Sequence, residues 1–216
     1  MPFAKAADAL LTLARTDEGV SVFLVQTSDV QVEQTFTIAS DTQYDVTFDG
    51  AAGELVGVAG GGWDTWADVM LDGIVLLGAY AAGGARFAHE ITTQYAKDRK
   101  QFDKPLGAFQ AIAHYLADGI SAVDGGDAVD GAEVLAYEAA WARSEGRDVK
   151  RLAPMSKLFA GKTFREVTAV GQQVFGGVGF TLEYDIQLYF RRAKQLQLSW
   201  WDDRYLEELI AAAVLD

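Results

Sequence analysis

The sequence lacks cysteine altogether and has only two histidines, His89 and His114. Disulfides, thiolate metal ligands and a cysteine nucleophile are therefore excluded, and two histidines are too few for a histidine-based metal cluster. Positive charge is also scarce, because 18 Lys and Arg face 31 Asp and Glu, for a net charge of -13 at pH 7. Since this charge opposes attraction to phosphate backbones and anionic lipid, we predict no nucleic-acid partner, and the lack of cysteine and scarcity of histidine lead us to predict no metal site.

What the sequence does contain is ordinary globular composition: 216 residues, 50% of them hydrophobic and 23% charged. This is enough to bury a real core in one large domain or two small ones. The first residues lack the basic-then-apolar order of a signal peptide, and the later apolar runs are broken by Gly, Asp and Arg. We therefore expect no export signal, no membrane span and a cytoplasmic location.

The first quarter of the chain shows a β pattern. Short β-prone runs at residues 10–14, 20–26 and 44–48 are separated by turn residues, which indicates a few antiparallel strands. A glycine-rich stretch at residues 50–62 marks a connection. We place a domain boundary there, with a small β region at residues 1–60 and a helical domain at residues 61–216.

The remainder of the chain has helical periodicity. Long helices are predicted at residues 63–97, 109–147 and 152–175, and shorter ones at residues 183–198 and 203–215. Gly125-Gly126 is expected to bend or interrupt the second long helix. Small residues crowd the first helix, so another backbone is expected to pack close to it, whereas Lys157 and Lys162 are expected to keep one face of the third helix solvated. The prediction is a mainly α protein: an antiparallel helical bundle preceded by a small antiparallel β remnant.

The first functional segment, residues 95–110, reads YAKDRKQFDKPLGAFQ and lies where the first helix ends, since Lys104-Pro105 forbids its continuation. On a purely structural interpretation, Arg99 stabilises the end of the helix dipole and Phe102 plugs the core. The second segment, residues 172–189, reads QQVFGGVGFTLEYDIQLY and superficially suggests a phosphate-binding loop. Because a helix rather than a strand precedes its glycines, Gly176 and Gly177 fit a helix cap better.

Together and in this order, the two segments resemble the C-terminal helical domain of the acyl-CoA dehydrogenases. The first carries Y-x-x-x-R-x-Q-F-x-K-P-L-G, and the second carries Q-x-x-G-G-x-G-F, followed by R-R-A-K at residues 191–194. The start of the chain resembles the later part of the family's middle β-domain. The family's N-terminal helical domain and the earlier part of its β-domain have no counterpart here, so we expect either a fragment or a reduced paralogue.

The resemblance implies FAD-dependent α,β-dehydrogenation of an acyl-CoA thioester, in which a carboxylate removes the α-proton and the flavin accepts the β-hydride. It further implies which residues contact FAD of a neighbouring subunit. Arg99, Gln101 and Phe102 reach it, with Arg99 near the pyrophosphate. The adenosine end is lined by Gln173, Gly176 and Gly177. An Arg fork suits a diphosphate, and glycines allow close backbone approach.

The expected catalytic Glu is missing from both places where the family carries it. Trp200 occupies one position and Gly73 the other, and indole cannot accept the proton. Asp72 lies one residue from Gly73 and Asp202 lies two residues after Trp200, so either carboxylate is a candidate substitute for the base. The structural alternative is that each Asp is a helix cap or a solvated charge. Trp200 and Trp201 are expected to fill the space of an acyl chain or to pack at an interface.

Three hypotheses follow. The first is an acyl-CoA dehydrogenase-like flavoprotein subunit that depends on an identical or paralogous partner, as in actinobacterial heteromeric enzymes, and passes electrons to an electron-transfer acceptor. Fatty acid or steroid side-chain degradation is then the expected context. The second is a catalytically inactive, flavin-free module for oligomerisation. The third is a self-sufficient dehydrogenase.

Overall fold

A computed structural model describes residues 1–121 and 128–215. The described chain forms two compact units, Met1–Met70 and Leu71–Asp216, which divide within the first long helix. The boundary proposed after residue 60 stays a prediction.

The N-terminal unit contains two small antiparallel sheets. Strands β1 (Ala9–Thr16), β2 (Gly19–Gln26) and β5 (Gly53–Val56) form one sheet in the order β1-β2-β5. Strands β3 (Gln31–Thr35) and β4 (Gln43–Thr47) form the other. The β remnant expected from the sequence is confirmed, with more strands than the three apolar runs indicated.

The C-terminal unit is a helical bundle, also as predicted. Its helices are α1 (Gly62–Asp98), α2 (Gln110–Ser121), α3 (Ala128–Ser144), α4 (Leu152–Phe175), α5 (Ile186–Leu198) and α6 (Asp203–Leu215). A hairpin of β6 (Lys100–Gln101) and β7 (Lys104–Pro105) separates α1 from α2. Helices α2 and α3 both lie within the segment predicted as helical at residues 109–147. The bend or interruption expected at Gly125-Gly126 lies outside the described residues.

Two buried clusters hold the bundle together, and α1, α3 and α4 contribute to both. The predicted close approach to α1 is present. A Cβ on Gly78 would lie 2.4 Å from the Ser156 hydroxyl oxygen and 3.3 Å from the backbone nitrogen of Lys157. A Cβ on Gly84 would lie 2.6 Å from the ring of Phe164. Glycine at these two positions therefore lets α4 pack directly on the α1 backbone.

Helix α1 is the one helix in the described part of the chain that is long and apolar enough to span a membrane, judged by length and composition only. A core helix that packs through glycine and alanine passes the same test. The expectation of no membrane span therefore remains a prediction.

Candidate functional site

Arg99 lies at the exit of α1, as predicted. Its backbone N–H donates to the carbonyl of Tyr95 at 2.9 Å, and its own carbonyl accepts from the N–H of Leu106 at 2.8 Å. These two bonds fix the hairpin directly below the helix end, while the side chain of Arg99 remains exposed. The guanidinium is thus carried on a rigid backbone and points into open surface, where it can bind an anion.

The tip of the hairpin is a strained turn that exposes an aromatic ring. Phe102 and Asp103 both have left-handed backbone conformations, with φ of 53° and 65°. Phe102 is 86% exposed, and its ring makes an edge contact with Phe109, whose centroid is 6.2 Å away. The alternative in which Phe102 plugs the core is therefore wrong, because the turn directs the ring away from the bundle.

The charge around the hairpin is opposite in sign to that of the whole chain. Residues 97–104 contain four cations and two carboxylates, in a protein whose net charge is -13. The Lys104 ammonium lies over the ring of Phe109 at 4.8 Å from its centroid, and the Gln101 amide donates to the Lys100 carbonyl at 2.8 Å. The hairpin is therefore a local basic surface with its aromatic and amide groups ordered.

The glycine pair ends α4 in a conformation that only glycine adopts easily. Gly176 has φ of 65° and ψ of -142°, and its N–H donates to the Gln172 carbonyl, which confirms the predicted helix cap. A Cβ on either Gly176 or Gly177 would meet nothing within 4 Å. Gln173 beside them is exposed. Bare, accessible backbone of this kind leaves room for a ligand to approach closely.

The two segments lie at the same end of the bundle. The ring of Tyr95, one turn before Arg99, stacks on the ring of Phe175 with centroids 4.0 Å apart, and Phe175 directly precedes Gly176. Tyr184 completes this aromatic cluster with edge contacts to both rings. One chain therefore presents the arginine hairpin and the glycine pair on a shared end.

Beneath the glycine pair is a buried amide. Gln172 is 6% exposed, and its side-chain oxygen and nitrogen have no hydrogen-bond partner in the described part of the chain. Its Oε1 would lie 2.8 Å from a Cβ on Gly179, so this glycine makes space for the amide. Although Gln172 begins the second segment, its burial could not be anticipated, since it reads as part of an ordinary helix end.

The two positions expected to carry a catalytic base meet in space. A Cβ on Gly73 would lie 1.9 Å from Cζ3 of Trp200, so the indole rests directly on the α1 backbone. Trp200 and Trp201 have φ of 50° and 72°, and the Trp200 side chain stays 41% exposed. The two positions to which the family register assigns a catalytic Glu are thus in direct contact, and an aromatic ring fills the space that they share.

The two substitute carboxylates are both engaged elsewhere. Asp72 forms an ion pair with Arg143, with distances of 2.5 Å from Nε to Oδ1 and 3.2 Å from Nη2 to Oδ2. Asp202 accepts a hydrogen bond from the backbone N–H of Tyr205 at 3.0 Å and so caps the start of α6. Asp202 therefore has the expected role of a helix cap, whereas Asp72 is neither a cap nor a solvated charge but pairs with a cation on α3.

Lys157 is the main residue that sequence reasoning misplaced. It was expected on a solvated face with Lys162, yet it is 1% exposed, and only Lys162 is on the surface. Its ammonium donates to the carbonyl of Trp201 at 2.6 Å. Burial lowers the pKa of Lys157 to about 8, against the opposing influence of Asp203 and Asp202.

An open cavity of about 540 Å³ lies between α1, α4 and α5. Tyr80, Phe87 and Tyr189 form its walls, and Gly83 leaves the α1 backbone bare at its floor. None of the predicted site residues lines it. In the part of the chain that the structure describes, no group of three or more His, Asp or Glu residues is placed to hold a metal ion.

Comparison with known proteins gives a consistent result. The profile of the acyl-CoA dehydrogenase C-terminal domain matches residues 60–215. The short-chain specific acyl-CoA dehydrogenase of Clostridium acetobutylicum is 29% identical over 201 residues, which are 87% of this chain and 52% of that protein. The chain therefore spans about half the length of this relative.

Solved structures agree. Butyryl-CoA dehydrogenase from Megasphaera elsdenii matches with a TM-score of 0.91 and 26% identity over 100% of this chain and 58% of its own. The ChsE4-ChsE5 complex from Mycobacterium tuberculosis matches with a TM-score of 0.86 and 27% identity, over 100% of this chain and 57% of the other.

Proposed function

Because the chain belongs to the acyl-CoA dehydrogenase family, whose C-terminal domain its residues 60–215 match, we propose that it is a flavin-supporting subunit of an acyl-CoA dehydrogenase. FAD, when bound, supplies the acceptor for the β-hydride of an acyl-CoA thioester, and an electron-transfer acceptor then reoxidises it. The observation that carries the proposal is the shared end on which Arg99 and the Gly176-Gly177 pair lie open and accessible.

The residues at this end fit a dinucleotide. The Arg99 guanidinium offers a bidentate fork to a pyrophosphate, and the local excess of cations offsets the repulsion from the rest of the chain. The exposed ring of Phe102 and the amide of Gln101 extend the contact surface along the hairpin. Gly176 and Gly177 leave the space where an adenosine would approach backbone, beside the exposed amide of Gln173.

The catalytic base, in this proposal, comes from a partner subunit. The Trp200 indole covers Gly73 and has no group that accepts a proton, while Asp72 and Asp202 are committed to an ion pair and a helix cap. A general base has to be within hydrogen-bond reach of the proton it removes. A paralogous second chain that carries Glu at either position would supply this base. An identical second chain would not, unless a carboxylate other than these acts as the base.

The distance along α1 supports a two-chain arrangement. The helical stretch from Gly73 to the end of α1 at Asp98 is about 38 Å long at 1.5 Å per residue. This exceeds the length of an extended dinucleotide, so FAD held at the hairpin does not reach the Gly73 region of the same chain. The ChsE4-ChsE5 match, a complex of two differently named proteins, is the kind of assembly the proposal invokes.

The direct test is flavin binding. The purified chain is mixed with FAD, alone and with a paralogous acyl-CoA dehydrogenase subunit from the same organism, and the absorbance of flavin that co-elutes in gel filtration is measured. We expect flavin to be retained, and acyl-CoA-dependent reduction of an acceptor dye to require the partner. Failure of every mixture to retain flavin contradicts the proposal, and dye reduction by this chain alone favours the self-sufficient dehydrogenase.

One observation favours the flavin-free interaction module as a second candidate. Helix α3 exposes Val134, Tyr137 and Trp141, with exposed fractions of 63%, 76% and 49%, at the i, i+3, i+7 spacing of one helix face. Such a face suits packing against another helix without any cofactor. Stable oligomers that form at full yield without FAD, and that retain none when it is added, would favour this candidate.

A further inference from the structure

The loop between α5 and α6 has a strained backbone, which contacts from outside the loop must stabilise. Trp200 and Trp201 are consecutive bulky residues with left-handed backbone, at φ of 50° and 72°. For residues other than glycine this conformation is unfavourable, and it persists only where the surroundings impose it. The contacts around the loop show which group imposes it.

Several contacts of the loop are local. The Ser199 hydroxyl donates to the Gln195 carbonyl at 2.8 Å, Asp202 caps α6, and the rings of Trp201 and Tyr205 lie 5.2 Å apart. Trp201 also packs against the buried cluster to which α1, α3, α4 and α6 contribute. Because apolar packing is not directional, the orientation of the turn's backbone calls for a directed contact.

The long-range hydrogen bond comes from α4. The Lys157 ammonium reaches the Trp201 carbonyl at 2.6 Å across 44 positions of sequence, and its side chain is 1% exposed. Asp202 and Asp203 are the charged groups that act on this ammonium. Oδ2 of Asp203 also lies 3.7 Å from Nη1 of Arg165 on α4. We propose that Lys157 is a positioning residue that fixes the Trp200-Trp201 turn on α4 and thereby seats the Trp200 indole on Gly73.

A cation suits this task better than a neutral side chain would. A charged donor makes a stronger hydrogen bond to a carbonyl, and the flexible stem of lysine lets the donor reach a loop outside its own helix. The inference needs no bound flavin. Its failure is therefore distinguishable from failure of the proposed function, which rests on the opposite end of the bundle.

The test uses fluorine NMR of the full chain labelled with 5-fluorotryptophan, with the Trp200 signal assigned through Trp200→Phe. In Lys157→Met we expect the Trp200 signal to shift by more than its linewidth and to broaden further with a soluble gadolinium chelate. The signal of Trp141, which lies on α3 in the same unit, is expected to stay in place, because a general loss of packing in the bundle would disturb it as well. Lys162→Met, an exposed lysine on the same helix, is the matched control.

The absence of cysteine allows a rescue experiment. Lys157→Cys is alkylated with 2-bromoethylamine under denaturing conditions, which restores an ammonium at nearly the length of lysine, and the chain is refolded. We expect the wild-type Trp200 signal to return after alkylation, whereas Gly73→Ala, which pushes the ring directly, shifts it whatever stands at position 157. An unshifted Trp200 signal in Lys157→Met, or in unalkylated Lys157→Cys, overturns the proposal.

Discussion

Two turns of this protein use the same backbone device with opposite outcomes. Phe102-Asp103 at the hairpin tip and Trp200-Trp201 after α5 are both consecutive left-handed pairs that contain an aromatic residue. Phe102 is 86% exposed, whereas the Trp200 ring lies on Gly73 and the next carbonyl is held by Lys157. The left-handed backbone therefore sets only the direction of each aromatic ring. Residues distant in sequence decide whether the ring is exposed to solvent or packed against another helix.

The largest expected effect concerns Lys157, which holds the Trp200-Trp201 turn. Burial lowers the pKa of Lys157 from 10.5 to about 8, so between these values the unfolded chain binds a proton that the folded chain has lost. The free energy of unfolding should therefore rise with pH across this window, by about 3 kcal/mol at most. Lys157→Met should abolish that rise. Denaturant titrations at pH 7.5 and pH 10.5 measure it, with Lys162→Met expected to behave as wild type.

The next largest effect concerns Arg99, at the hairpin that exposes Phe102. Arg99→Gln removes the charged fork and should weaken FAD binding by the assembled protein roughly a hundredfold, the equivalent of losing a charge-assisted hydrogen-bond pair. Equilibrium titration with FAD, followed by flavin fluorescence, is the measurement. Arg204→Gln on α6, where the side chain is 87% exposed, is the control. Equal affinities for the two variants would rule out a role of Arg99 in binding.

Two glycine substitutions on α1 compare a position covered by an aromatic ring with a position that lines the open cavity. Gly73→Ala brings a methyl group to within 1.9 Å of the Trp200 ring and should lower the free energy of unfolding by about 2 kcal/mol. Gly83→Ala meets nothing within 4 Å, and the gain in helix propensity should raise it by up to about 1 kcal/mol. Chemical denaturation compares both with wild type, and changes of the same sign would contradict this geometry.

Gly177→Ala tests whether the space at the open end matters for a ligand. Among the described residues beyond its chain neighbours, no atom lies within 4 Å of the added methyl group, so thermal stability should stay near that of wild type. FAD affinity should fall about tenfold, since the methyl group occupies space offered to the cofactor. Calorimetric titration with FAD gives the affinity, and an unchanged value would place the adenosine elsewhere.

The smallest effects are expected from substitutions of Asp72 and Asp202, which lie one and two residues from Gly73 and Trp200. Asp72→Asn weakens a half-exposed ion pair with Arg143 and should cost no more than about 1 kcal/mol. Asp202→Asn should cost less, since Asn caps helices as well as Asp does. Dye reduction by the assembly with its partner should be unchanged in both. Loss of turnover in either variant would identify that residue as the base after all.

Local pattern determined much of this fold in advance. The bounds of α4 and α6 follow from apolar spacing and capping residues, and they coincide with the prediction. Whether residues 109–147 form one helix or two did not follow from the pattern, because helical periodicity extends over the segment and a glycine pair either bends or interrupts a helix. Arg99 and Gly176 were found because their motif lies on continuous segments of chain.

The residues that sequence reasoning missed depend on contacts across the fold. Lys157 reads as a surface lysine, since nothing near it in sequence announces a carbonyl supplied by a loop 44 positions away. Trp200 and Gly73 could be paired only through the family register, and their direct contact became visible in three dimensions. Gln172 likewise shows its unpartnered amide only once burial is known.

The basic hairpin on an acidic protein has a kinetic consequence. An approaching dinucleotide first meets the field of a body with net charge -13 and only later the cations around Arg99. Added salt screens charges farther apart than about 10 Å at 0.1 M, so it weakens the distant repulsion more than the close attraction. Cofactor capture should therefore quicken as ionic strength rises toward that value, opposite to the slowing found for partners of opposite charge.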